Sequence, residues 1–455
     1  DKVLNDLQFY QAKLPGVVSA WYFLTGEELY REFMALTLAA GNREDGTRVL
    51  LAMERIRRLD QTDGSSEGND GLRNVLSSLQ AEYPGAERSR LDTANRSLQT
   101  FRRDSGWTAD VPGRDLLDGA LSQLRRNDVL LAYYFSDSGS YALPATRNGV
   151  KQVRLDTGSR LAQDMERLGQ ALYSGSVPPV PGSLDTLGRS LLGPVSGMIK
   201  ERVYLLANGP MLGFPLDALR LNGRFLGEQS RLIRLESLSA LQRSEGDSGP
   251  PSIENVFLAG NPQAGQDLFS YGIRTSAELD AVRNEFVGEG LHMVQGVALR
   301  RDEFSDERFV SAGLLHLAMP GIVDLERSQN SRLMLSGTRE DPSAEFLSPA
   351  DLRLRHLSAN LAVLSGTAFS GQPSSSFESR TGLVSDLLQA GAAQVVYSLW
   401  PAGDGETSAL MSDFYQRLSR ESTVEEALFQ ARKALIDSGN PANLKQWAGF
   451  QLLIR

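Results

Sequence analysis

Short apolar runs alternate with amphipathic segments along the second half of the chain, from Val256 to Ile454. This pattern limits the fold sharply, because alternating strands and helices pack as a mainly parallel sheet covered by helices. The predicted strands are 256–259, 291–294, 314–318, 361–364, 394–399 and 450–454. The predicted helices are 276–285, 301–309, 381–390, 404–418 and a segment opened by the capping box Ser422-Thr-Val-Glu425. Ligands and reactive groups in such sheets lie beyond the carboxyl ends of the strands, which selects the loops after 314–318 and 361–364.

The middle of the chain predicts an accessory, strand-rich segment. Asp128 to Phe135 is one continuous apolar run, typical of a buried strand. Asn148-Gly149 is a hairpin signal between two further strands, 141–146 and 150–155. Helices are predicted over 161–172 and 184–199, followed by strands at 202–207 and 231–235. The polar segment 244–251 predicts a subdomain boundary.

The first part of the chain predicts helices. Residues 25–40 begin with a capping-box pattern, and 47–59 repeats their helical periodicity, which together predict an αα-hairpin. Further helices are predicted over 72–79 and 86–101, after a polar linker at 60–70. We favour a helical extension packed on the main domain over a true repeat array, because no repeat period is strong. The predicted divisions are therefore 1–115, 116–250 and 251–455.

Composition excludes several kinds of chemistry. The chain has no cysteine, so thiolate zinc sites, iron–sulfur clusters, disulfides and cysteine nucleophiles are impossible. Its three histidines are His292, His316 and His356, and none lies within one helical turn of another. We therefore expect no metal and no cofactor. A net charge of −9 argues against nucleic-acid binding, and no apolar run approaches the length of a membrane helix.

A series of ordered blocks resembles the CHAT domain, a family of caspase- and separase-like cysteine peptidases of clan CD. The blocks are Asn208-Gly-Pro210, Phe214-Pro-Leu-Asp-Ala-Leu219, Gly260-Asn-Pro262, Ala277-Glu-Leu-Asp280, Leu361-Ala-Val-Leu-Ser365, Val395-Val-Tyr-Ser-Leu-Trp-Pro401 and Trp447-Ala-Gly-Phe450. The resemblance covers about residues 128–455, and the preceding helices fit the tetratricopeptide-like extension usual in this family. It implies a caspase-like sheet and a catalytic His–Cys dyad.

Both positions of that dyad differ here. The family pattern His-Phe-Ala-Thr-His-Gly, whose second His is the general base, corresponds to His316-Leu-Ala-Met-Pro-Gly321. The base position is thus Pro320. The family pattern Ser-Ala-Cys corresponds to Ser365-Gly-Thr367, so the nucleophile position is Thr367. His316 lies about 13 Å from position 320 along a strand, too far to replace the base.

Four residues remain as candidates for a groove at this edge of the sheet: His316, Ser365, Trp400 and Asp404. A structural role at the strand end is the favoured interpretation of His316, and packing is favoured for Trp400. Asp404 matches an acidic family position that can line a pocket for a basic side chain, but capping of the helix that follows is favoured.

The sequence therefore predicts a catalytically inactive pseudo-peptidase that binds a protein partner, such as an extended peptide segment or a related CHAT protein. One alternative is a hydrolase with an altered nucleophile, Thr367 or Ser365. Another places the function in the N-terminal helices. The chain begins at Asp1 without methionine, which leaves room for a removed leader, so the compartment stays open. The cytoplasm is favoured and the periplasm is the alternative.

Overall fold

The computed structural model describes residues 34, 38, 45–61, 114–136, 139–155, 160–174, 181–243, 249–262, 276–286, 288, 290–325, 330–336, 346–353, 355–370, 382–400, 404–439 and 443–455. The chain divides into two compact units, Asp1–Leu117 and Asp118–Arg455. Among the described helices, none is long and apolar enough to cross a membrane.

The first unit contains helix α1, Asp45–Gln61, where the sequence predicts a helix over 47–59. Its buried side chains include Val49, Leu50 and Met53, which recur at helical spacing and form one apolar face. Met34 and Leu38 are helical and buried. The rest of the predicted helix 25–40, the linker 60–70 beyond Gln61 and the helices 72–79 and 86–101 lie outside the described residues.

The second unit carries the remaining elements. Its helices are α2 Arg114–Ser122, which begins just before the boundary, α3 Arg160–Ser174, α4 Pro181–Leu191, α5 Leu226–Gln229, α6 Ser239–Arg243, α7 Ser276–Glu285, α8 Glu307–Val310, α9 Pro349–Arg353, α10 Leu383–Ala390, α11 Asp404–Leu418, α12 Val424–Asp437 and α13 Asn443–Ala448. Its strands are β1 Asp128–Tyr134, β2 Ser140–Thr146, β3 Gly149–Val150, β4 Val153–Leu155, β5 Arg202–Leu206, β6 Arg220–Leu221, β7 Arg224–Phe225, β8 Arg231–Leu235, β9 Val256–Gly260, β10 Leu291–Gln295, β11 Leu314–Ala318, β12 Gly321–Asp324, β13 Arg332–Met334, β14 Phe346–Leu347, β15 Leu361–Leu364, β16 Thr367–Ser370, β17 Gln394–Ser398 and β18 Phe450–Ile454.

A 12-stranded sheet in the order β10-β9-β11-β15-β17-β18-β8-β5-β1-β2-β3, with β4 beside β2, forms the centre of the second unit. Most neighbouring strands are parallel, while β2 and the β17–β18 pair provide the antiparallel contacts. The mainly parallel α/β sheet expected from the sequence is confirmed. It runs through both predicted segments 116–250 and 251–455, and the boundary between them stays a prediction.

The core lies on both faces of this sheet. Strands β1, β9, β11, β15 and most of β17 are buried along their length, which is why they occur as continuous apolar runs in the sequence. Helices α7, α11 and α12 pack on the sheet and on one another through apolar faces, with Leu279, Phe414 and Leu428 among their buried side chains.

A second, four-stranded sheet in the order β14-β13-β12-β16 follows the carboxyl ends of β11 and β15. Strands β12 and β16 are parallel neighbours, and Gly321 lies opposite Thr367. The sequence predicts plain loops here, and this prediction is wrong. The runs Gly321–Asp324 and Thr367–Ser370 have only four residues each, too few for a clear alternating pattern.

Three local predictions also need correction. The single helix predicted over 184–199 is α4 followed by a 3-10 segment, Gly193–Met198, because Pro194 cannot continue an α-helix. The helix predicted over 301–309 is a 3-10 turn, Arg301–Ser305, followed by the short α8. The cap of α12 is Thr423, whose side chain accepts from the Glu426 backbone N–H, so the capping box is one residue later than predicted.

Candidate functional site

The two positions to which the resemblance assigns the family's dyad lie side by side in this fold. Strands β11 and β15 are adjacent and parallel, with His316 opposite Val363, so their carboxyl ends share one edge of the sheet. The chain leaves them through Pro320 and Gly366 and enters β12 and β16. Pro320 and Thr367 therefore stand at the start of the small sheet, as the sequence predicts for two loops at one edge.

The two strand ends approach each other closely. The Gly321 N–H donates to the Gly366 carbonyl oxygen at 3.2 Å. A Cβ atom added at Gly366 would lie 2.3 Å from the Met319 carbonyl oxygen, a distance that backbone atoms do not tolerate. The alanine that the family pattern has at this position would not fit without movement of the backbone. This edge of the sheet is therefore closed tightly around the nucleophile position.

Thr367 is fully buried, with 0% of its surface exposed. Its hydroxyl donates to the Ser398 carbonyl oxygen at 2.8 Å and lies 3.2 Å from the Ser398 hydroxyl. The Ser398 hydroxyl in turn is 2.9 Å from the Thr367 carbonyl oxygen and 3.1 Å from that of Ser365. The Thr367 proton is thus held by a backbone acceptor, which is not a base. This arrangement ties β16 to β17.

The other hydroxyl of this segment, Ser365, is buried and has no hydrogen-bond partner among the described residues. A buried hydroxyl without a hydrogen-bond partner costs free energy. Ser365 is therefore a position at which this edge of the sheet leaves a polar group without a hydrogen bond. In the part of the chain that the structure describes, no histidine, lysine or carboxylate is hydrogen-bonded to Ser365 or Thr367.

Pro320 is half-buried, and its carbonyl oxygen accepts from the Met334 N–H at 2.8 Å. This bond continues the pairing of β12 with β13, so the residue at the base position has a backbone role in the small sheet. Its pyrrolidine ring offers neither a proton nor an acceptor.

The His316 side chain contacts two helices that pack on the sheet. It is completely buried, its Nδ1 lies 2.7 Å from the Tyr415 hydroxyl of α11, and its Nε2 lies 3.3 Å from Glu278 Oε1 of α7. The Tyr415 ring meets the imidazole edge to face, and burial raises the pKa of this phenol well above its ordinary value. His316 therefore joins β11 to two helices and has no exposed surface.

The remaining two candidates have different environments. Trp400 is 2% exposed, and its indole N–H donates to the Lys445 carbonyl oxygen at 2.8 Å, which fits the packing role. Asp404 is the first residue of α11. Its side chain lies outside the described part of the molecule, so the choice between a cap and a pocket residue stays a prediction.

Sequence analysis missed a buried polar network next to this edge. Asp217 is 0% exposed, and it pairs with Arg432 at 3.0 Å and accepts from Gln451 at 3.1 Å. Arg234 donates to Gln451 at 3.0 Å and to the carbonyl oxygens of Met211, Leu212 and Phe214. Asp217 lies in the block Phe214–Leu219, and Gln451 directly follows the block Trp447–Phe450. These blocks of the resemblance were the sequence feature that could have pointed to the network.

The sequence model of the CHAT domain matches residues 166–455, well over half of the chain. The chain belongs to the CHAT domain family. No curated protein matches the sequence significantly. Among the described residues of this CHAT protein, no group of three or more His, Cys, Asp or Glu could hold a metal ion.

Among solved structures, that of separase has a similar fold. The chain aligns with Saccharomyces cerevisiae separase in its complex with securin at a TM-score of 0.52 and 9% identity, over 97% of this chain and 38% of separase. The chain therefore spans well under half of separase. A second crystal structure of that complex gives a TM-score of 0.47 at 9% identity, covering 96% and 37%. The Arg-specific cysteine proteinase gingipain R gives 0.37 at 9% identity, covering 65% and 74%.

Proposed function

We propose that this CHAT protein is a pseudo-peptidase that acts by binding a protein partner and cleaves nothing. The hydrogen bond from the buried Thr367 hydroxyl to the Ser398 carbonyl oxygen carries the proposal. A hydroxyl becomes a nucleophile only when a base takes its proton, and a peptide carbonyl oxygen is not one. At the base position, Pro320 supplies no group that titrates.

Closure of the edge supports the same conclusion. A substrate carbonyl must come within about 3 to 3.5 Å of the attacking oxygen before acyl transfer. Thr367 has no exposed surface, and Gly366 lies against the Met319 carbonyl oxygen. A peptide would therefore have to displace paired backbone of β12 and β16 to reach the hydroxyl.

A protein with this fold can still bind a partner, even though its residues at the two dyad positions are not His and Cys. The separase of the structural comparison is in complex with securin, which supports a protein partner for this chain as well. The small sheet ends in the two-residue strand β14 on one side, and an extended segment could pair with such an edge through its backbone. We propose an extended peptide, or a second CHAT protein, as this partner.

A peptidase assay tests the loss of activity. The purified chain is incubated with fluorogenic peptides that carry arginine or lysine before the scissile bond. We expect no release above that of a variant with both Thr367→Val and Ser365→Ala. Release by the wild-type chain that either substitution abolishes would overturn the pseudo-peptidase and establish the altered hydrolase.

A selection from a library of extended peptides, read out by binding to the purified chain, tests the binding role. We expect residues 114–455, which keep helix α2 whole, to retain the selected peptides with the affinity of the whole chain. Peptides that bind only when residues 1–113 are present would place the function in the N-terminal helices. Thr367→Val serves as the matched control, because it removes the hydroxyl at constant volume and should leave binding unchanged.

A further inference from the structure

A cleft of about 670 Å³ opens in the second unit, away from the dyad positions. It lies around the amino ends of β1, β5 and β8 and extends to Gln394 at the amino end of β17. Ser398, which binds Thr367, is at the other end of β17, about 13 Å along the strand. The volume suits a small organic ligand, since such sites usually have about 300 to 1,000 Å³.

Some of the charged side chains around this cleft have an ion-pair partner, and others have none among the described residues. Arg202 pairs with Glu425 and Asp128, and Arg231 pairs with Glu426. Three other lining arginines, Arg125, Arg126 and Arg455, are exposed and have no ion pair with any described residue. Glu201 is the lining carboxylate without an ion pair there. The unpaired charge is thus positive, on a chain whose net charge is −9.

A buried phenol faces this cationic rim. Tyr204 lines the cleft and is only 7% exposed, yet its hydroxyl makes no hydrogen bond to any residue that the structure describes. Four charged groups interact with it electrostatically, namely Arg202, Asp128, Glu425 and Arg125. Arg202 pairs with both carboxylates, which leaves Arg125 as the unpaired charge beside the phenol. Burial raises the pKa of Tyr204 to about 12, so the phenol keeps its proton and is a hydrogen-bond donor at neutral pH. A hydroxyl donor that is open to the cleft, beside the unpaired Arg125 guanidinium, suits an anionic oxygen.

The other wall of the cleft is apolar. Ile233 and Leu452 contribute buried side chains, and Ile454 lies next to them on β18. A body with apolar surface can therefore pack there while its charged end faces the arginines. The cleft thus combines an apolar surface with a few convergent polar groups, the usual composition of a ligand site.

We propose that this cleft binds a small organic anion whose phosphate or carboxylate group contacts Arg125, Arg126 and the Tyr204 hydroxyl, and whose apolar body packs on Ile233, Leu452 and Ile454. The site shares no residue with the dyad positions. It goes beyond the pseudo-peptidase function, because the whole chain can bind such an anion whether or not it cleaves peptides.

Two fluorescent probes with nearly the same body test the proposal on the whole chain. Anilinonaphthalene sulfonate is anionic, and phenylnaphthylamine is its neutral counterpart. We expect one sulfonate probe to bind per chain, at least about tenfold more tightly than the neutral probe, because a charge-assisted contact is lost in the latter. Equal binding of the two probes, or binding of neither, would overturn the proposal.

Substitutions locate the probe. Arg125→Gln and Tyr204→Phe should each weaken sulfonate binding at least about 10-fold, the lower end of the range expected for one lost hydrogen bond to a charged group. Arg147→Gln, at an exposed arginine in the β2–β3 turn outside the cleft, is the matched control and should leave binding unchanged. Affinities of the two cleft variants equal to that of the control would overturn the site.

Competition identifies the anionic group. Adenosine monophosphate displaces the probe if the site takes a phosphate, and naphthoate displaces it if the site takes a carboxylate. Adenosine and naphthalene methanol, their neutral counterparts, should fail to displace the probe at the same concentrations. Displacement by the neutral compounds, or by no compound at all, would contradict an anion site.

Discussion

The hydroxyl of Thr367 is enclosed and hydrogen-bonded by its surroundings. Its donor is taken by the Ser398 carbonyl oxygen, and the same serine turns back to the carbonyl oxygens of residues 365 and 367. These three contacts, with the 3.2 Å approach of the two hydroxyls, form a closed local pattern that links β16 with β17. Any reaction at this atom would first have to break that pattern.

Because Thr367 is buried, we expect a thiol at this position to react slowly. The rate is easy to measure because the chain has no cysteine of its own. Thr367→Cys places a single thiol in an otherwise thiol-free chain. We expect it to react with a disulfide reagent at least about 100-fold more slowly than the thiol of Ser196→Cys, because reaction requires local opening of the sheet. Ser196 is exposed in the 3-10 segment and serves as the reference. Comparable rates for the two native proteins would show that the edge is open.

At the same edge, residue 366 has no room for a side chain larger than that of glycine. Gly366→Ala should lower the free energy of unfolding by about 2 to 3 kcal/mol, since its Cβ meets the Met319 carbonyl oxygen. Gly169→Ala, in the interior of α3 with nothing within 4 Å, should instead raise it by up to about 1 kcal/mol. Urea denaturation of both variants measures the difference. An unchanged midpoint for Gly366→Ala would mean that the strand ends separate easily.

The two positions to which the resemblance assigns the dyad could be placed at one sheet edge from the sequence, whereas their surroundings could not be predicted. Pro320 and Thr367 could be located because the runs 314–318 and 361–364 mark their strands clearly. The direction of His316 could not be deduced, since its contacts Glu278 and Tyr415 come from helices 38 and 99 residues away along the chain. The strands β12 and β16 were missed because each is only four residues long.

Among the helices, α12 shows how a cap fixes the position of charged side chains. Thr423 accepts from the Glu426 N–H and so begins the helix at Val424. Glu425 and Glu426 then occupy the first turn, where the helix dipole favours negative charge and where Arg202 and Arg231 lie opposite. The cap therefore sets the two ion pairs that connect α12 with the amino ends of β5 and β8.

Neighbouring substitutions distinguish the two possible caps. Thr423→Ala should destabilise the protein by about 1 kcal/mol, the usual cost of a lost N-cap. Ser422→Ala should change the stability by less than about 0.5 kcal/mol, because Ser422 precedes the cap. Thermal unfolding of the pair measures both effects. The reverse order would restore the capping box predicted from Ser422-Thr-Val-Glu425.

The carboxyl group of Glu426 makes the stability of the folded state depend on pH. Burial acts to raise the pKa of Glu426, but hydrogen bonds from Arg231 and Gln430 and the charges of Arg231 and Arg202 outweigh it, so the pKa is lowered. A carboxyl group with a lowered pKa stabilises the folded state above its unfolded pKa of about 4.3, and the contribution is lost as the pH falls through the folded value.

Thermal unfolding at several pH values tests this sign. The stability advantage of the wild type over Glu426→Gln should be complete at neutral pH, amount to about 0.5 kcal/mol because the pair is partly exposed, and vanish in acid. Glu254→Gln, at an exposed loop position that has no ion pair with any described residue, should show no such trend. An advantage that grows as the pH falls would contradict the prediction.

At the scale of the whole second unit, the network around Asp217 holds distant parts of the chain together. Asp217 and Arg234 come from the half that contains β5 and β8, and Arg432 and Gln451 come from α12 and β18. The partners are 215 and 234 residues from Asp217 in sequence, so no local pattern could predict them. All four side chains are almost completely buried.

A double-mutant cycle tests whether this network acts as a unit. Arg432→Met should cost about 3 to 5 kcal/mol, because it leaves the Asp217 carboxylate buried without its cation. Combining it with Asp217→Asn removes both charges, and the double variant should be less destabilised than the sum of the single variants by about 1 kcal/mol or more. Urea denaturation of the four proteins measures the coupling. Strictly additive costs would show that the two charges do not depend on each other.

Strand β18 lies between β17 and β8 at the middle of the 12-stranded sheet. Its residues, 450–454, are translated after all the other strands of that sheet. During synthesis on a ribosome, β1, β5 and β8 can pair with one another, and so can β9, β11, β15 and β17, but the two groups have no common strand until residue 454 has left the exit tunnel. The newly made protein must therefore keep two open sheet edges apart from other chains until β18 is available, so the pairing of this one strand decides whether the sheet closes correctly.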